Sequence, residues 1–156
     1  MASVIRRFLG IDFGKVRIGL AISDELGFMS HPLETLRTGD ANAVTKRIAE
    51  IVREKDVQRV VIGLPRNMDG SHGNAAEEAL AFAAKLRGQL TCDVVTWDER
   101  LTTVSANRAL RETGRKTKET RGYVDQVAAQ MILQGYLDRL QAIAASEMES
   151  GDVKRD

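Results

Sequence analysis

The sequence predicts an α/β domain with a mixed five-stranded sheet flanked by helices. Three observations predict it. Three short apolar runs separated by turn residues open the chain, helical and strand-like apolar periods then alternate, and the continuous run Val60-Val61-Ile62 follows the first helical stretch as a buried central strand would. A meander followed by alternating helices and strands makes a mixed sheet with helices on its faces, not a sandwich or a bundle.

Phe8 to Asp12 is the first expected strand, and the Gly14-bearing connection Phe13 to Val16 turns it into Arg17 to Ser23, apolar at Ile18, Leu20 and Ile22. Leu33 to Leu36 is a short third strand. From Ala41 to Lys55, Val44, Ile48, Ile51 and Val52 fall on one helical face. Arg59 to Leu64 is the central strand, and Pro65 to Asn74 is a loop holding Gly70 and Gly73. Ala75 to Leu90 is helical, with Ala79, Phe82, Ala83, Leu86 and Leu90 on one stripe. Asp93 to Trp97 is the fifth strand, Thr102 to Arg111 a short helix, Gly114 to Gly122 a polar, basic connection, and Val124 to Ala145 a long final helix.

The 156 residues fit one domain, placed at 1–145, with a polar tail at 146–156. A single cysteine, Cys92, excludes an internal disulfide framework and a multi-cysteine zinc site. Aromatic residues make up 4%, too few for a face of stacked rings. No window approaches about 20 uncharged apolar residues, so no membrane span is expected. The opening MASVIRRFLGIDFG lacks a secretory apolar core, and a cytoplasmic location follows as the expectation.

Acids stand where a sheet holds ligands. Asp12 ends the first strand, and Asp98 and Glu99 follow the last. Asp125 heads the stripe Ala129, Ile132, Tyr136 and Leu140 of the final helix, which turns it toward the sheet. Asp12, one of Asp98 and Glu99, and Asp125 could therefore converge. Clustered carboxylates repel, and a hard divalent cation, Mg²⁺ or Mn²⁺, would relieve the repulsion. The structural alternative is that each Asp caps a turn or complements a helix dipole.

Four blocks carry a resemblance: GIDFGKVRIGLAISD (Gly10 to Asp24), VIGLPRNMDGSHGNAA (Val61 to Ala76), WDERLTTVSA (Trp97 to Ala106) and DQVAAQMILQGYLD (Asp125 to Asp138). In this order they resemble the YqgF family, also called RuvX, of Holliday-junction resolvases. The resemblance implies an RNase H-like fold and a metal-dependent nuclease acting on structured nucleic acid. For bacterial members it implies 5′-end trimming of pre-16S ribosomal RNA. It also implies Asp12, Glu99 and Asp125 as catalytic and metal-binding residues, with Asp98 as second choice for the middle position.

Positive charge is concentrated near these acids. Arg100 to Arg121 holds seven bases against two acids, a net +5, and residues 1–20 carry a net +3, while the whole chain is at +1. That distribution suits phosphate backbones. The residues expected to bind nucleic acid are Lys15, Arg17, Arg100, Arg115, Lys116 and Lys118, with Asn67 and Ser71 on the glycine loop. The expected partner is precursor rRNA or branched DNA, and a symmetrically cut junction would suit a homodimer.

Two other classes compete. One is a non-catalytic nucleic-acid-binding module on the same fold. The other is a sugar-kinase or actin-like ATPase, since an Asp-x-Gly hairpin such as Asp12-Phe13-Gly14 also opens that fold. The chain is too short for the second lobe an ATPase needs, and Gly10 to Lys15 has three residues between its glycines where the phosphate-loop pattern needs four.

Overall fold

The computed structural model describes residues 7–65, 73–101 and 118–155, with the backbone alone at 118–122 and 149–155. Its strands are β1 (Arg7–Phe13), β2 (Arg17–Ser23), β3 (Ser30–Arg37), β4 (Val57–Leu64) and β5 (Asp93–Asp98). Its helices are α1 (Ala41–Glu54), α2 (Asn74–Arg87) and α3 (Lys118–Arg155), and a 3₁₀ turn, Glu99–Leu101, follows β5. The sheet order is β3-β2-β1-β4-β5. β1 pairs antiparallel with β2 and β2 with β3, while β1, β4 and β5 run parallel. The predicted mixed five-stranded sheet is therefore the observed one.

Strand alternation sorts the side chains into two cores. Leu9, Ile11, Ile18, Leu20, Val60 and Ile62 pack with the buried stripes of α1 and α2. Phe8, Ala21 and Val61 pack on the opposite face with Ala128, Ala129, Ile132, Leu133 and Leu137 of α3. Asp40 caps α1, its side chain accepting from the backbone N–H groups of Asn42 and Ala43. On the α3 face Tyr136 meets Trp97 and Phe8 edge to face and receives a hydrogen bond from Arg59 at 2.6 Å.

Several expected boundaries move, with α2 ending at Arg87 rather than Leu90 and β4 starting at Val57 rather than Arg59. β3 starts at Ser30, not Leu33, because α3 supports its early residues. Ser30 donates its hydroxyl to the Gln130 carbonyl at 2.7 Å, and its backbone N–H bonds Gln134 Oε1 at 2.9 Å. Gln130 Nε2 donates to the Ser30 carbonyl, Gln134 Nε2 to the Phe28 carbonyl and Gln126 Nε2 to Thr35 Oγ1. Three glutamines one turn apart thus bond the edge strand and its turn. Pro32 is accommodated on this edge strand beside a register shift.

The last helix is also longer than expected. It begins at Lys118 rather than Val124, and it runs through the expected tail to Arg155 rather than ending at Ala145. No proline interrupts 118–155, and most of the added residues are adequate helix formers, which offset Gly122 and Gly151. The expected short helix Thr102 to Arg111 lies outside the described residues.

Three glycines on one sheet face let α3 lie against strand backbone. A Cβ at Gly10 would stand 2.7 Å from Leu133 Cβ and 2.9 Å from the Ala129 carbonyl oxygen. At Gly19 it would overlap the carbonyl of Asp125, and at Gly63 the end of Ile132. The obstacle at Gly19 is helix backbone, which no rotamer change moves aside. Gly19→Ala is therefore expected to destabilise the fold by at least about 1–3 kcal/mol, the usual overpacking cost. Gly39→Ala, with nothing within 4 Å of the new methyl, should leave stability unchanged or slightly raised. Urea denaturation of both variants measures the difference.

Candidate functional site

Register sets where the acids stand. Asp12 lies on the α3 face of β1, two residues after Gly10, and pairs across the antiparallel ladder with Gly19. On its other side Gly10 pairs with Val61 and Ile11 with Ile62, so the next parallel step sets Asp12 beside Gly63. Asp12 is thus flanked by a glycine on each neighbouring strand, each roughly 5 Å away.

An acidic residue stands at each glycine, together with Ile132 in the case of Gly63. The backbone of Asp125 lies against Gly19. The carboxyl carbon of Glu99 lies 3.3 Å from the place a Cβ would take on Gly63. The spacing along β1 agrees. Gly10 faces Ala129 and Leu133, and Asp12 is about 6.7 Å further along the strand. Asp125 is one turn before Ala129, about 6 Å along the helix, so strand and helix stay in step.

Burial differs among the acids. Asp12 is 6% exposed and Glu99 2%. Such carboxylates are costly to keep charged unless polar or cationic groups compensate. Asp125 is held by Arg17, whose Nε lies 2.6 Å from Oδ2, with the two side chains 29% and 14% exposed. Asp98 and Glu99 separate cleanly. Asp98 accepts from the backbone N–H of Arg100 at 2.9 Å and from its guanidinium at 2.7 Å, capping the turn it precedes. Glu99, the next residue, is the one carried back over Gly63.

The expected phosphate-binding residues are less uniform. Lys15 is exposed in the β1–β2 turn. Arg17 contacts Asp125, and Arg100 contacts Asp98. Lys118 is the first residue of α3, described by its backbone alone. Asn67, Ser71, Arg115 and Lys116 lie outside the described residues. Burial pushes the Cys92 thiol up from its usual range, in keeping with an unreactive cysteine.

The donor chemistry fits a hard cation, since three carboxylates supply only oxygen. Their present placement does not complete a site. Among the described residues no three His, Cys, Asp or Glu side chains are gathered closely enough to hold an ion. The Arg17–Asp125 ion pair engages Oδ2, one of the oxygens such an ion would draw on.

The family profile described as "RuvX: Holliday junction resolvase" matches residues 6–139. The chain belongs to the RuvX family. It is 50% identical over 137 residues to a Halalkalibacterium halodurans protein named "Putative pre-16S rRNA nuclease", covering 86% of this chain and 98% of that one. An Acetivibrio thermocellus protein of the same name is 48% identical over 134 residues, covering 85% and 95%. The fold is similar to that of Thermus thermophilus RuvC in complex with a Holliday junction substrate, with TM-score 0.54 and 14% identity, covering 87% of this chain and 96% of that one. At that identity the likeness speaks for the fold alone, and it bears out the RNase H-like class.

Sequence patterns alone did not assign the two flanking glycines or the partner of Asp125. A signal for the glycines was present: Gly19 in RIGLAIS and Gly63 in VVIGL interrupt apolar strand interiors, where glycine often marks a close approach. Gly63→Ala tests the site more than the fold, because the new methyl meets the movable end of Ile132 and crowds Glu99. We expect a folded protein, less destabilised than Gly19→Ala, with nuclease activity at least tenfold lower. Wild-type activity in the folded variant would show that the space over Gly63 is not needed.

Proposed function

We propose that this RuvX-family nuclease is a divalent-metal-dependent endonuclease that hydrolyses phosphodiesters of structured nucleic acid in the cytoplasm. Its substrate is the 5′ end of pre-16S rRNA, a Holliday-junction-like DNA, or both. The observation that carries the reading is the row Gly19-Asp12-Gly63, which sets Asp125 and Glu99 on either side of Asp12. The names of the curated relatives favour the rRNA precursor, and the family description favours the junction.

Asp12, Glu99 and Asp125 are the residues that would hold Mg²⁺ or Mn²⁺. The metal would supply charge stabilisation and an activated water for in-line attack on phosphorus. The protein's share is positional. The sheet fixes Asp12, the turn after β5 fixes Glu99 in a buried place, and α3 carries Asp125 to the rim. Lys15, Arg17, Arg100, Arg115, Lys116 and Lys118, with Asn67 and Ser71, would draw and orient the phosphate backbone. None of the described helices is long and apolar enough to cross a membrane. A junction cut symmetrically would engage a homodimer.

The test is cleavage of a four-way DNA junction and a precursor-rRNA fragment side by side, with Mg²⁺, Mn²⁺ or chelator. Asp12→Asn, Glu99→Gln and Asp125→Asn should each lower metal-dependent cleavage at least a hundredfold while the protein stays folded. Asp98→Asn should lower it less than Glu99→Gln. Full activity of Asp12→Asn would refute the assignment, and binding of either substrate without cleavage in any metal would identify a binding module instead.

A further inference from the structure

Arg17 occupies an unusual place. It pairs across the β2–β3 ladder with Arg37, and alternation puts both on the α3 face: Gly19 and Thr35, two residues further in, are the pair against which Asp125 and Gln126 lie. Like charges directly opposite one another on a sheet are unfavourable. Asp125 offsets the Arg17 charge, whereas Arg37 is exposed and makes no ion pair among the described residues. The result is an arginine pair beside the acids, with Arg17 bound to the Asp125 carboxylate.

We propose that Arg17 and Arg37 form a phosphate clamp, and that Arg17 exchanges partners, holding Asp125 while no nucleic acid is bound and turning to a backbone phosphate when it arrives. Guanidinium groups suit this exchange, because the same planar fork matches carboxylate and phosphate. Arg17 is 29% exposed, so an incoming phosphate can reach it. The exchange releases Asp125 at the moment the substrate is in place. It rests on the proposed metal-dependent reading of the acids, and it makes cation and nucleic-acid binding mutually favourable. The clamp also adds Arg37 to the residues expected to touch nucleic acid.

The experiment is a calorimetric Mn²⁺ titration without nucleic acid on wild type, Arg17→Gln, Arg17→Lys, Lys15→Gln and Asp12→Asn, with circular dichroism confirming the fold. Arg17→Gln should bind Mn²⁺ roughly three- to fivefold more tightly, the scale of a released, partly exposed ion pair. Arg17→Lys should fall between it and wild type. Lys15→Gln, which removes a nearby charge that does not touch Asp125, should change affinity less than about twofold, separating the clasp from general electrostatics. In chelator, Arg37→Gln should weaken binding of the junction or the precursor-rRNA fragment, whichever wild type binds better, and lower the salt slope by up to about 1. Unchanged or weaker Mn²⁺ affinity in Arg17→Gln overturns the exchange, and unchanged nucleic-acid affinity in Arg37→Gln overturns the clamp. Mn²⁺ binding that is lost in Asp12→Asn yet unaffected by Arg17→Gln overturns the exchange alone. Absence of Mn²⁺ binding to every variant overturns it together with the metal reading.

Discussion

The seating of α3 directly on strand backbone is the constraint on which the rest depends. Gly10, Gly19 and Gly63 remove three side chains from one sheet face, so the helix approaches closer than a helix resting on side chains could. That approach costs strand stability, because glycine is a poor strand residue. It is offset by apolar burial along Ala129, Ile132, Leu133 and Leu137 and by the glutamine row that bonds β3. The same approach brings Asp125 to the rung of Asp12. Packing and site assembly are thus one arrangement, and the glycines serve both.

Topology supplies the remaining acid. β1 lies at the switch point of the sheet, where the chain leaves the β1-β2-β3 meander and continues on the other side with β4. Ligands in open α/β sheets gather at such points, beyond the carboxyl ends of the parallel strands. β5 ends one strand further out, and its terminal turn must carry a side chain back over β4 to reach Asp12. Gly63 leaves room there, which the end of Ile132 and the Glu99 carboxyl share. Asp98 turns instead to its own turn, where it caps the backbone N–H of Arg100 and pairs with the Arg100 guanidinium.

The elements were legible because each carries a strong periodic signal: the apolar stripes of α1 and α2, and the run at Val60 to Ile62. The start of β3 is not legible locally, because its early residues, Ser30 to Pro32, owe their place to glutamines a hundred residues away. The ends of the last helix are not legible either, because apolar periodicity marks only its packed middle, while helix formers extend it on both sides. Asp12 and Asp125 were legible from element ends. The choice of Glu99 came from family resemblance, and its physical reason, the space over Gly63, needs the register. Arg17 was legible as a basic residue beside an acid cluster, but its contact with Asp125 joins β2 to α3 across 108 positions and could not be read locally.

A crystal structure of the protein soaked in Mn²⁺, phased on the manganese signal, tests the central claim most directly. The account predicts density over the α3 face of β1, with carboxylate oxygens of Asp12, Asp125 and Glu99 at roughly 2.0–2.3 Å, and Asp125 drawn away from Arg17. Manganese bound elsewhere, or these three carboxylates still apart at saturating Mn²⁺, would contradict it.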